Sequence, residues 1–229
     1  MSWIDDRRAA VFVSPNDTEA KSFAKQVKSI VRDYIDPNKK LNAQLAMALF
    51  ESLKIYGLNY VIDPSSSYSA NVGSATIDFL QFPYQTLNYS GGDCDDLSIL
   101  YCSLLETLGI EGAFITVPGH IFTGFCLGQT EEEIAFEDYG VLQNGLIYYE
   151  GKIWQPVEIT MIKDGFNKAC AYGVQEWEKY IDEALIYPIH SAWELYSSVN
   201  SPETKKSISI PDTNKLITDF KNQLKYIDK

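Results

Sequence analysis

Histidine is scarce in this sequence, two in 229 residues, and cysteine is little commoner at four. Four cysteines cannot build a disulfide scaffold in a chain of this length, and no paired-cysteine or paired-histidine spacing marks a metal site. Positive charge is also short: 19 Lys and Arg against 31 Asp and Glu leave a formal charge of −12. With no dense basic cluster, and with Lys205-Lys206 lacking an aromatic neighbour, nucleic acid and anionic membrane surfaces are poor partners. Apolar runs are too short for a membrane span, and the opening Met1-Ser2-Trp3-Ile4-Asp5-Asp6-Arg7-Arg8 lacks the apolar core of a signal peptide. The expectation is a soluble chain, with its compartment and any adjoining domains of a longer protein left open.

The remaining composition, 45% hydrophobic, suffices for a sizeable core. No internal repeat is present, and one domain over 1–229 is expected, with a core at about 38–162, an N-terminal helix at 17–35 and a C-terminal helical extension at 163–229. Phe23, Val27, Ile30, Val31 and Tyr34 recur at helical spacing after Asn16-Asp17, and Leu41, Leu45, Leu49, Leu53 and Tyr56 form a second stripe closed by Gly57. Leu58 to Ile62 suits a short strand, followed by a polar loop over Ser65 to Ser74. After a Leu-rich helix ending at Gly109, the period changes to short β-type runs: 113–117, 121–127, 134–137, 146–149 and 152–157, with Asn144-Gly145 and Glu150-Gly151 as hairpin turns. Helical patterns return at 174–184 and from Asp212 or Thr213 to about Ile227. Helices first and adjacent strands afterwards predict an α+β domain with a mainly antiparallel sheet.

Gly91-Gly92-Asp93-Cys94-Asp95-Asp96 leads directly into that Leu-rich helix. A cysteine on the first turn of a helix meets outward-pointing N–H groups and the positive end of the dipole, which favours a thiolate. Asp93, Asp95 and Asp96 oppose this, so a histidine partner is required. Cys102, Cys126 and Cys170 lie in apolar surroundings and suit packing roles. Of the two histidines, His120 is the better base, since it follows Pro118-Gly119 and opens a strand of the sheet that should face the Cys94 helix, whereas His190 follows Tyr187-Pro188-Ile189 near Trp193. Glu158, closing the strand in Trp154-Gln155-Pro156-Val157-Glu158-Ile159-Thr160, is the best group to orient that imidazole. Glu131 to Glu133, Glu137 and Asp138 match the decoration of an exposed hairpin.

These three segments, in this order and over about Phe82 to Met161, resemble the bacterial branch of the transglutaminase-like superfamily. The resemblance implies a papain-like core with the nucleophile helix packed on a mainly antiparallel sheet. It implies Cys94 as nucleophile, His120 as base and Glu158 as orienting acid, where the superfamily usually has aspartate. His120 would take the proton of Cys94, and the thiolate would attack a carbonyl to give a thioester. The Cys94 backbone N–H is one oxyanion donor, with Gln81 or Tyr84 as a second. A peptide or protein substrate is expected, no cofactor, and no metal. Hydrolysis of peptide or isopeptide amides leads; acyl transfer to a lysine amine, a non-catalytic binding or scaffold module, and a metal site from Cys94, His120 and a carboxylate are the alternatives.

Overall fold

Asp17 closes the first N-terminus, its carboxylate accepting the N–H groups of Glu19 and Ala20 at 3.1 and 2.9 Å. In the computed structural model, which describes residues 3–62, 78–129, 141–143, 145–199, 201, 208–209 and 211–227, this cap opens α1 (Thr18–Val31). Phe23, Ala24, Val27 and Val31 are buried at helical spacing, and a 3-10 turn at Arg32–Tyr34 carries the chain on. Helix α2 (Leu41–Tyr56) ends at Gly57, whose φ of +93° is the left-handed geometry of a C-terminal glycine. Its single expected stripe is too narrow: every residue from Ala43 to Leu53 is buried, while Leu41 is half exposed. The helix meets α1 on one side and the C-terminal helix α7 (Thr213–Leu224) on another, so it is enclosed.

The expected strand at 58–62 shortens to β1 (Asn59–Tyr60), which pairs in parallel with β2 (Gly91–Gly92). Between them lies a seven-residue helix that periodicity does not reveal, α3 (Pro83–Tyr89), opened by Pro83 and by the Gln85 carboxamide accepting the Phe82 N–H at 2.8 Å. The polar loop expected at 65–74 lies outside the described residues. Helix α4 (Cys94–Thr107) is buried continuously from Cys94 to Leu105. Its interior hydroxyls bond back along the helix, Ser98 Oγ to the Cys94 carbonyl at 2.6 Å and Ser103 Oγ to Ile99 at 2.7 Å.

Six antiparallel strands form the sheet, in the order β5 (Val141–Gln143), β6 (Leu146–Tyr149), β7 (Lys152–Val157), β4 (His120–Gln129), β3 (Gly112–Val117) and β8 (Leu185–Pro188). Gly119 at φ +74° turns β3 into β4, and Glu150-Gly151, at +49° and +66°, turns β6 into β7. The expected run at 134–137 and Asn144 lie outside the described residues. The edge strand β8 and the short helix α6 (Ile189–Leu195) were not foreseen, because each is too short to show a period. One sheet face, with Phe114, Ile121 and Phe125, joins the core clusters that α4 also enters; the other, with Ile115, Phe122 and Trp154, packs with Trp177.

Trp177 belongs to α5 (Phe166–Lys179), which begins earlier and ends earlier than the expected 174–184. Gly165, at φ +89°, starts it, and Phe166, Ala169, Gly173 and Trp177 are its buried face. Helix α7 likewise stops at Leu224, short of Ile227, with Leu216 and Phe220 inward. The chain is thus an α+β fold on an antiparallel sheet, and among the described residues no helix is long and apolar enough to cross a membrane.

Gly173 sets how closely α5 approaches β7: a Cβ there would stand 2.9 Å from the backbone at Pro156 and Val157 and 3.2 Å from the Glu158 nitrogen. Replacing Gly173 with Ala should therefore destabilise the fold by about 1–3 kcal/mol through overpacking, although alanine is the better helix former. Chemical denaturation reads the loss directly; an unchanged or raised midpoint would mean that α5 can shift without cost.

Candidate active site

The first turn of α4 is built from close backbone approach and buried acids. Asp93 is the N-cap, its side chain accepting the Asp96 N–H at 3.5 Å, and Cys94 is the first helical residue. Gly92 is required by proximity, since a Cβ on it would lie 2.5 Å from Asp96 Cβ. The Asp96 carboxylate in turn accepts the Gln81 backbone N–H at 2.8 Å and its Nε2 at 2.5 Å.

Cys94 is buried and shares a core cluster with Ile121 of β4, at the point where β7 no longer flanks that strand. Burial pushes the thiol well above its usual range, the charges of Asp95 and Asp93 add to this, and the Ile121 N–H opposes it. The opposition expected from the neighbouring acids is present, and desolvation, which the sequence did not disclose, is the larger cause disfavouring the thiolate. Burial raises Cys102, Cys126 and Cys170 as well, and all four thiols are free.

His120 opens β4 and presents Nε2 to Glu158 Oε2 at 2.6 Å, across 38 residues of sequence. The other oxygen of Glu158 accepts the Thr160 N–H at 3.0 Å and its hydroxyl at 2.6 Å, so the longer glutamate arm is held from both sides. Burial pulls the His120 pKa down, but the hydrogen bond and charge of Glu158, with Glu176 beyond, leave it raised, with Lys179 opposing. Phe122 stacks on the ring at 5.8 Å, and His120 and Glu158 border a cleft of about 450 Å³ whose far wall is Tyr172, Glu176, Lys179 and Tyr180 of α5 and the turn after it.

The geometry thus joins His120 to Glu158 directly and sets Cys94 against the next residue of β4. Thiol and imidazole are not hydrogen-bonded to each other, although the charge of Glu158 bears on Cys94. His190 stacks on Trp193 at 5.6 Å, bonds Glu106 at 2.9 Å and is half exposed, away from the cleft. Of the expected oxyanion donors, Gln81 gives both N–H groups named above to Asp96, while Tyr84 stacks on Phe82 and lines a separate cavity with Phe12 and Asp78 that Cys94 does not border. Gln81 is upstream in sequence but is tied into the acidic turn, a long-range partnership that spacing does not disclose. Thr160 was within the motif yet unassigned; a hydroxyl two residues after a carboxylate is the signal that could have found it.

Asp93, Asp95 and Asp96 are the only group of three among the described residues whose ligand atoms lie within 4.8 Å of one another. Burial and mutual repulsion push Asp95 well above the carboxylate range and Asp96 up to about 7, so a cation there would have to displace protons. Cys94, His120 and a carboxylate, the alternative metal set, are not among such groups in the described residues. No protein-family model, no curated protein and no solved structure matches the chain. Fold and site alone define its class: an α+β protein with a buried cysteine at a helix start and a hydrogen-bonded histidine–glutamate pair on its sheet.

Because Asp96 rises from 3.8 to about 7, the folded chain binds more protons than the unfolded one between pH 4 and 7. Stability from this group is accordingly lost as pH climbs through that window, by roughly 4 kcal/mol at most, and levels off above it. Asp96→Asn should flatten the fall, with Gln81 turning its amide to accept from the new Nδ2. Urea unfolding at pH 5 and pH 8 measures it, and equal slopes in wild type and variant would contradict the assignment.

Proposed function

We propose that this protein is a transglutaminase-like thiol enzyme, a cysteine peptidase or amidase acting on peptide or isopeptide amides. The observation that carries the reading is the 2.6 Å His120–Glu158 pair at the mouth of a cleft, with the Cys94 sulfur against the adjoining residue of the same strand. Glu158 holds Nε2, which leaves Nδ1 as the nitrogen to receive the thiol proton, and its charge stabilises the imidazolium that results. In the first step the proton passes from Sγ to His120, the S–C bond forms and the carbonyl π pair moves onto oxygen. On collapse that pair restores C=O, the C–N bond breaks and the leaving amine takes the proton from His120. Water then releases the acid; a lysine amine in its place would give cross-linking.

The buried, protonated thiol means that ionisation belongs to the reaction step, with substrate closing the cleft and bringing imidazole to sulfur. The same protonated thiol, with no hydrogen bond to His120, favours one second reading, a binding module that keeps the fold without catalysis.

Alkylation of the four cysteines, resolved by mass spectrometry against pH, separates the two. On the enzyme reading Cys94 reacts faster than the buried cysteines near neutrality and its rate falls about 10²-fold in His120→Ala. Since Glu158 raises the His120 pKa, the neutral base accumulates only above the ordinary histidine value of 6.5. Glu158→Gln should therefore move the rising limb of the profile to lower pH. A Cys94 rate indifferent to His120 would leave the binding module. Peptide-library cleavage with and without an added primary amine then distinguishes hydrolysis from transfer, and Cys94→Ala should abolish both.

A further inference from the structure

With Gln81 bonded to Asp96 and Tyr84 at a separate cavity, the attacked carbonyl oxygen would have one donor at the helix start, the Cys94 N–H. The parallel β1–β2 pairing brings another candidate alongside: Tyr60 is level with Gly92, two residues before the nucleophile. Val61 and Ile62, which follow it, line the cavity formed with Gly91, Gly92, Asp93 and Asp96, and the Ile159–Asp164 turn after Glu158 packs on β1. Among the described residues its hydroxyl has no hydrogen-bond partner, and the ring is 40% exposed, which leaves the group available to a bound molecule.

We propose that Tyr60 is the second oxyanion donor, its phenol O–H and the Cys94 backbone N–H converging on the carbonyl oxygen as Cys94 Sγ attacks. This rests on the thiol-enzyme reading above. Burial, and then the acids Cys94, Asp93 and Glu158, push the phenol up to about 12, so it keeps its proton across the working range and can only donate to an oxyanion. A half-exposed tyrosine in a two-residue strand carries no sequence signal; only the pairing with Gly92 brings it to the site.

The test compares two reactions of one sulfur. Iodoacetamide alkylates Cys94 by displacement at carbon and forms no oxyanion, whereas p-nitrophenyl acetate acylates it through a tetrahedral oxyanion and expels p-nitrophenolate. Tyr60→Phe, which keeps the ring, should slow Cys94 acylation about 10²-fold while leaving its alkylation rate and pH profile within twofold of wild type. Acylation within twofold of wild type overturns the role of Tyr60 alone. A parallel loss of both reactions also overturns it, since that would mark a structural contribution to the site. If wild-type acylation does not depend on Cys94 and His120, the thiol-enzyme reading fails and the donor role with it.

Discussion

Burial of the first turn of α4 is the constraint to which the surrounding structure answers. A thiol and three carboxyls are taken out of water together, and desolvation disfavours every charged form among them. Asp95 and Cys94 are pushed well up and Asp96 reaches about 7, so the turn holds protons that the same residues would release in an unfolded chain. Gly91-Gly92 admits β2 against the turn, Asp93 caps it, and Gln81 satisfies Asp96. Two of the three acids around Cys94, Asp95 and Asp96, are thereby pushed toward their protonated forms.

The other half of the site has the opposite character. His120 and Glu158 sit where β4 begins and β7 ends, on the face that α5 covers, and there a hydrogen bond and an adjacent carboxylate favour the charged imidazolium over the desolvated neutral ring. Thr160 fixes one oxygen of Glu158, and the Glu158 N–H donates to the Ala169 carbonyl of α5 at 3.0 Å. Gly173 allows that helix to come close enough. The Cys94 sulfur thus packs at Ile121, and the His120–Glu158 pair begins one residue earlier in the same strand, on the face that α5 covers.

Much of the fold was legible because local chemistry and tertiary role agree. α1 shows its cap and stripe, α2 its glycine stop, α4 its glycine-rich entry, and β3, β4, β6 and β7 their runs between turn residues. Legibility failed for α3, β8 and α6, which are at most seven residues long, and for the limits of α5, where the buried face follows packing on β7. In the site, His120 and Glu158 could be named from chemistry and strand position. The bonding of Gln81 to Asp96 and the pairing of Tyr60 with Gly92 were invisible, because each joins residues of different elements.

By itself the sequence determined the stock of reactive groups and where each enters an element: one cysteine at a helix start, one histidine and one glutamate at strand ends, on a chain with the hydrophobic pattern of an α+β domain. Tertiary structure decided protonation and partnership, namely that Cys94 rests as a thiol, that Asp96 titrates near 7, that Glu158 reaches His120, and that Gln81 serves Asp96. Helical period and capping are properties of neighbours along the chain. Desolvation and hydrogen-bond geometry depend on what the rest of the molecule places around a group, and no stretch of sequence contains that.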